Sequence, residues 1–149
     1  MRRLCGNNME ATQLMHKFLP VFVLFSVLAA DLGAQGTRKV EGCNIRRGTL
    51  CTNMNLNGAD LRGVNLANSQ FTRSNLSGAD LSGANLSEAN VASADLRQAK
   101  LDEATLTRIN GRGARFDRAT LTQARLEGAI LQNANFHAAD LTQVVATGS

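Results

Sequence analysis

Side chains that could perform catalysis are few in this sequence. From Gln35 onward the chain holds one histidine, His137, and two cysteines, Cys43 and Cys51. No cysteine is paired with a histidine, no residues have metal-ligand spacing, and no glycine-rich loop is suited to cradle a phosphate. No nucleophile accompanies His137 for acid–base work. We therefore predict no catalytic residue, no metal site and no cofactor.

The two cysteines indicate a structural bond rather than a reactive site. Cys43 and Cys51 form an even pair at short spacing, while Cys5 lies in a segment that we expect to be removed. In an exported protein such a pair predicts a disulfide, and closing a loop of about eight residues stabilises the fold by roughly 2.5 kcal/mol. Metal binding is the weaker alternative because a second pair of ligands is missing.

The densest basic stretch contains five arginines, and these are the candidate binding residues. They are Arg108, Arg112, Arg115, Arg118 and Arg125. A surface that binds phosphates requires such side chains to lie together on one face. The alternative is a set of solvated arginines that are partly paired with acids, and the choice depends on the path of the chain.

The N-terminus has the layout of a secretory signal peptide. Residues 18–30 are uncharged and almost wholly apolar, and Lys17 precedes them. The run is shorter than the roughly 20 residues of a membrane-spanning helix. We expect cleavage after Ala30 or Ala34 and take 1–34 as the signal peptide, with export to the periplasm or the cell exterior and no membrane contact afterwards.

The first fourteen residues are long and polar for the start of a signal peptide. We hypothesise that translation begins at Met15, which would place a short basic segment directly before the apolar run.

A repeat of five residues organises the rest of the chain. From Cys51 to Leu141 every fifth residue, the pentad centre, is apolar except Gly111. A small or apolar side chain, usually alanine, stands two residues before each centre, and Asn or Asp often stands one residue before it. A helix would scatter these centres around its axis, and a flat strand would send them to alternate faces.

A quarter-turn at each pentad resolves this conflict. All centres and their small companions then point to one axis, and twenty residues complete a square coil. At Gly111 the larger companion Ile109 is expected to restore lost volume. The coil stacks residues twenty apart, and four opposite-charge pairs follow. They are Asp80 with Lys100, Glu88 with Arg108, Asp95 with Arg115, and Arg97 with Asp117.

The same coil separates most of the arginines. Arg112, Arg115 and Arg118 spread over two successive sides, and only Arg108 and Arg125 share a side. We therefore favour solvated, partly paired arginines over a phosphate patch.

Repeats such as Ala-Asp-Leu-Arg-Gly, Ala-Asp-Leu-Ser-Gly and Ala-Asn-Leu-Ser-Glu resemble those of pentapeptide-repeat proteins. The resemblance covers about 51–145 and implies an all-β fold, the right-handed quadrilateral β-helix, here with about five coils. The best understood members protect DNA gyrase with an acidic rod that mimics DNA. With residues 35–50 as an N-terminal plug and 146–149 as a tail, the sequence predicts one solenoid domain.

The composition favours some classes of function over others. From Gln35 onward thirteen basic residues face ten acidic ones, and Trp and Tyr are absent. This near balance is typical neither of a DNA-coating protein nor of an acidic mimic. We predict an exported, non-enzymatic structural or binding module with a protein partner and no nucleic acid. The alternative is cytoplasmic protection of a topoisomerase by DNA mimicry. The uncapped C-terminal end leaves end-to-end homodimerisation or a frayed last coil open.

Overall fold

A computed structural model of the chain describes residues 38–40 and 42–148. The predicted signal peptide, 1–34, and the hypothetical start at Met15 lie outside these residues. Within the part of the chain that is described, no helix is long and apolar enough to cross a membrane.

The described region opens with a short hairpin. Strand β1 (Arg38–Val40) pairs antiparallel with strand β2 (Cys43–Ile45), and Val40 lies opposite Cys43. Gly42 occupies the turn with φ of 81°, a conformation that glycine adopts without steric cost. The first and third residues of β2 are buried and the middle one is exposed, as alternation along a strand requires.

The rest of the described chain is a parallel β-solenoid. The residue before each pentad centre forms a parallel bridge with the residue twenty positions later, from Leu50 with Gln70 to Arg125 with Val145. The amide of each centre that has a following coil donates to a carbonyl of that coil at 2.6–2.8 Å. The predicted coil of twenty residues is therefore confirmed, whereas the total of about five coils stays a prediction.

Pentad centres and their small companions share one interior. Every non-glycine centre from Cys51 to Leu126 is at most 4% exposed. The alanine companions are buried with them, and those from Ala79 to Ala124 are fully enclosed. The prediction that all the leucines point to a common axis holds for these coils. In the last coil Leu141 is 45% exposed because no further coil covers it.

Corners of the coil impose an unusual backbone on ordinary residues. Each pentad ends in a two-residue turn, and the second turn residue has φ between 55° and 69°. Glycine fills some of these positions, but Arg73, Glu103 and Arg118 fill others. A left-handed conformation costs a non-glycine residue roughly 1–2 kcal/mol. The repeat tolerates that cost because stacking with the coils on either side fixes the path.

Where Asn or Asp precedes a centre, it has a local role. Its side-chain oxygen accepts a hydrogen bond from the amide two residues later, an Asx turn. The amide of Ser82 donates to Asp80 Oδ1 at 3.2 Å, and that of Ser87 donates to Asn85 Oδ1 at 3.0 Å. These bonds hold the chain at the start of the corner, which explains why the two residue types recur there.

Gly111 is accommodated from two directions. Its companion Ile109 is 1% exposed and belongs to the core, as expected. A Cβ atom on Gly111 would also lie only 2.9 Å from Cδ2 of Leu131, the centre one coil later. The space left by the glycine is therefore also occupied by the neighbouring centre.

Truncation of a buried centre tests the common interior. We expect Leu81→Ala to lower the free energy of unfolding by about 2 to 5 kcal/mol, because Leu81 is fully buried and the narrow bore cannot collapse around the cavity. The matched variant Leu141→Ala changes a centre that is 45% exposed and should cost less than half as much. Urea unfolding followed by circular dichroism measures both, and equal losses would contradict this packing.

Candidate interaction surface

A disulfide closes the N-terminal mouth of the solenoid. Cys43 and Cys51 are joined, with their Cα atoms 5.6 Å apart. Both are at most 2% exposed, so the bond lies within the core. The Thr49 hydroxyl donates to the carbonyl oxygen of Asn44 at 2.6 Å beside the bond. The disulfide therefore fastens β2 to the first pentad centre.

Arg108 and Arg125 lie on one side of the solenoid and are both paired with acids. Arg108 forms an ion pair with Glu88 on the preceding coil. Arg125 Nη2 lies 3.0 Å from Glu127 Oε1 on its own coil. These two arginines fit the description of paired, solvated side chains.

The other three candidate arginines differ in the partners of their side chains. Arg112 Nε donates to Gln132 Oε1 at 2.8 Å. Arg115 Nε lies 3.6 Å from Asp117 Oδ2, an ion pair without a hydrogen bond. Within residues 42–148, Arg118 has no acidic side chain within ion-pair distance.

Two of the four predicted cross-coil pairs form direct ion pairs, and two do not, although Asp95 and Arg115 are stacked as bridge partners. Besides Glu88 with Arg108, Lys100 Nζ lies 4.0 Å from Asp80 Oδ2. Asp95, however, pairs with Arg97, and Arg115 pairs with Asp117, each on its own coil. Residues two apart on a strand project from the same face, and a long arginine reaches such a neighbour as easily as it reaches the next coil.

Hydrogen bonds lower the pKa of the carboxyl groups of Asp80 and Asp95. The bidentate hydrogen bonds from Arg97, at 2.6–3.0 Å, hold the pKa of Asp95 below its ordinary value, and the charge of Arg115 adds to this. For Asp80 the main cause is the Ser82 hydroxyl, which donates at 2.7 Å, and Lys100 contributes less to the lowered pKa.

One shallow pocket, the basic pocket, lies on the side formed by the centres Leu96 and Phe116. Its volume is about 390 Å³. Its lining contains three arginines, one histidine and three other polar residues. They are Ser77, Arg97, Gln98, Arg115, Asp117, Arg118 and His137. The prediction that only Arg108 and Arg125 share a side is therefore wrong, because Arg115 and Arg118 flank the same centre.

The basic pocket does not form a hydrolytic triad, although it contains serine, histidine and aspartate. Ser77 and His137 lie three coils apart, roughly 14 Å at the usual strand spacing. The Ser77 hydroxyl donates to Asn75 Oδ1 at 2.7 Å, and Asp117 Oδ1 accepts from Asn135 at 2.7 Å. In the described region no group of His, Cys, Asp and Glu could hold a metal ion.

The basic pocket is absent from the predicted sites although the sequence contains a signal for it. Four lining residues, Ser77, Arg97, Asp117 and His137, are spaced by twenty and follow successive centres of one side. The predicted pair of Arg97 with Asp117 is only part of this column, which continues to His137. The position of Arg118 beside that column follows from the turn, which the repeat pattern alone does not describe.

Comparison with known proteins agrees with this geometry. The family model described as pentapeptide repeats matches this chain in eight copies. The matched residues are 47–83, 55–91, 92–128 and 112–148. The chain belongs to the pentapeptide-repeat family. Its fold is accordingly the right-handed quadrilateral β-helix of that family. Pentapeptide-repeat proteins are generally structural or binding modules rather than enzymes.

Solved structures of other pentapeptide-repeat proteins are similar to this chain. The protein Rfr23 from the cyanobacterium Cyanothece 51142 is 28% identical, with a TM-score of 0.66 over 67% of this chain and 82% of its own. The protein alr5209 from Nostoc Pcc 7120 is 30% identical, with a TM-score of 0.40 over 68% and 85%. A comparison with curated proteins found no match.

QnrB1, a plasmid-mediated fluoroquinolone resistance protein, is a more distant structure. It is 16% identical, with a TM-score of 0.34 over 64% of this chain and 57% of its own. A likeness at this level supports no argument about the role of this pentapeptide-repeat protein.

The ion pair of Asp95 predicts a specific dependence of stability on pH. The folded state depresses the pKa of Asp95, so its contribution is present above the unfolded pKa of about 3.9 and is lost as the pH falls through the folded value. Asp95→Asn removes the charge but keeps the oxygen that the Asx turn requires, as at Asn85 and Asn90.

We expect the wild type to be more stable than Asp95→Asn at pH 7 and the difference to shrink between about pH 5 and pH 2. Thermal unfolding across this range measures it. For Asp140→Asn in the exposed last coil the difference should change less with pH, because hydrogen bonds from Thr142 lower the pKa of Asp140 without an ion pair. A difference that does not change with pH would contradict the assigned role of the ion pair.

Proposed function

We propose that this pentapeptide-repeat protein is an exported, non-enzymatic module that binds another protein with the sides of its solenoid. The observation that carries the proposal is a stacked scaffold whose outward columns present arginine, asparagine and serine side chains at fixed spacing. The proposed organisation is a signal peptide at 1–34, a plug at 35–50, a solenoid of about five coils at 51–145 and a tail at 146–149.

Export is supported by two independent features. The uncharged apolar run at 18–30 follows Lys17, which is the order of a signal peptide. The disulfide between Cys43 and Cys51 suits an oxidising compartment, since such bonds are rare where thiols are kept reduced. Periplasm and cell exterior both meet this requirement, and the mature protein has no contact with the membrane in this proposal.

A protein partner suits the surface better than a nucleic acid does. Binding of nucleic acid depends on many cations that can neutralise phosphates. Three of the five arginines in the basic stretch, Arg108, Arg115 and Arg125, instead lie beside carboxylates. The mixed charge of these sides also argues against mimicry of DNA, which requires a continuous acidic face, so topoisomerase protection remains the weaker alternative.

A second copy of the chain is a further partner in this proposal. In the last coil Leu141 is 45% exposed and Val145 is 46% exposed. The rings of Phe116 and Phe136 stack with centroids 4.7 Å apart, so the core continues directly into this open end. End-to-end pairing would cover these side chains. Repeat proteins need such a cover over the apolar surface at their ends to stay soluble.

Fractionation of cells that produce the full chain with a C-terminal tag tests the proposal. We expect to find the protein in the periplasm or the medium, with the signal peptide removed. Mass analysis without a reducing agent should show a mass lower by the two hydrogens that are lost when the disulfide forms. Leu24→Arg, which places a charge in the apolar run, should keep it inside the cell.

Crosslinking of the native exported fraction followed by capture through the tag should then recover a specific protein. A full-length chain with free thiols in the cytoplasm would overturn the proposed export. An exported chain that repeatedly recovers no partner would overturn the proposed binding role.

A further inference from the structure

The basic pocket has one uncompensated positive charge. Arg97 is engaged by Asp95 through bidentate hydrogen bonds, and Arg115 lies beside Asp117. Arg118 is exposed and, within the described residues, has no acidic side chain at ion-pair distance. Three guanidinium groups thus face two carboxylates, and the excess charge lies at the edge formed by Arg118.

The backbone presents Arg118 in a fixed position. Its φ is 58°, in the left-handed region, and its amide donates to the carbonyl oxygen of His137 at 2.9 Å. Stacking on the neighbouring coils therefore fixes the position of the Arg118 backbone from which the side chain extends. Such pre-organisation lowers the entropy that a ligand must offset when it binds.

Arg115 also retains donors for a ligand. Its Nε lies 3.6 Å from Asp117 Oδ2, which is too long for a hydrogen bond. Its side chain is 52% exposed. Arg115 and Arg118 flank the same pentad centre, so both guanidinium groups can donate to an anion in the basic pocket, and Arg–carboxylate pairs of this kind are often bidentate.

The charge balance favours a carboxylate over a more highly charged anion. A carboxylate carries one negative charge, which matches the excess in the basic pocket. A phosphate group carries up to two near pH 7. Asp117 lines the pocket, and its Oδ2 is buried without a hydrogen-bond partner in the described structure, so its charge opposes additional negative charge.

We propose that the basic pocket binds the carboxylate side chain of an acidic peptide segment in a partner protein, with Arg115 and Arg118 as the residues that contact it. The proposal deepens the protein-binding role given above and rests on it. The pocket volume of about 390 Å³ accommodates one such side chain, and the shallow form leaves room for the peptide to continue along the side of the solenoid.

Peptide binding to the purified protein, obtained from cells that express the full chain, tests this proposal. The probes are a short peptide with two glutamates and a matched peptide with glutamine at both positions. We expect the glutamate peptide to bind at least about fivefold more tightly in calorimetry at low salt, because hydrogen bonds between charged groups are the stronger ones. Raising the salt from about 20 to about 300 mM should remove most of this difference.

Arg118→Gly separates binding from folding. Glycine suits the left-handed backbone at this position, so the thermal midpoint should stay the same or rise while the preference for glutamate is lost. Arg73→Gly makes the same change at a corner of another side, where φ is also 58°, and should retain the preference. Arg118→Lys should retain part of it, because charge remains without the guanidinium fork.

Three results would overturn the proposal. They are equal binding of the two peptides, equal losses in Arg118→Gly and Arg73→Gly, and tighter binding of inorganic phosphate than of the glutamate peptide. Because the titration uses purified protein, its failure would leave export and partner capture intact. Conversely, a chain that stays in the cytoplasm would leave a measured preference for glutamate unaffected.

Discussion

The narrow interior of the coil is the constraint on which the whole structure depends. Each side of the coil admits one large inward side chain only if its companion two residues earlier is small. Leucine with alanine satisfies this at most pentads, and burial of both provides the main driving force for folding. Where the centre is Gly111, the larger Ile109 and the neighbouring Leu131 occupy the space. The order of residues within the pentad follows from that packing.

The same constraint determines what the surface can present. Because the inward positions belong to the core, the charged side chains of the solenoid are confined to the position before each centre and to the two corner residues after it. Stacking at intervals of twenty turns these positions into columns, and the corner that holds Arg118 lies beside the column of Arg97 and His137. A recognition site in this protein is therefore a composite of several coils rather than a sequence motif.

The fold could be predicted from the sequence because its period is unambiguous. Centres five apart exclude a helix and a flat strand, and the stacking of Asp80 on Lys100 follows from the coil alone. The pocket could not be predicted in the same way. The sequence offers Arg97 two acidic partners, Asp95 on its own coil and Asp117 on the next, and only the side-chain conformation in the structure shows that it pairs with Asp95. The position of Arg118 depends in addition on a left-handed turn residue that is not a glycine.

Nuclear Overhauser effects between backbone protons of the purified protein test the central claim most directly. A coil of twenty residues with parallel pairing predicts contacts between residues twenty apart, for example across the Asn85–Thr105 and Asp95–Arg115 bridges. Such contacts along 50–145 would establish the quarter-turn at each pentad. A pattern dominated by contacts three or four residues apart, as in a helix, with no contacts at a separation of twenty, would contradict it.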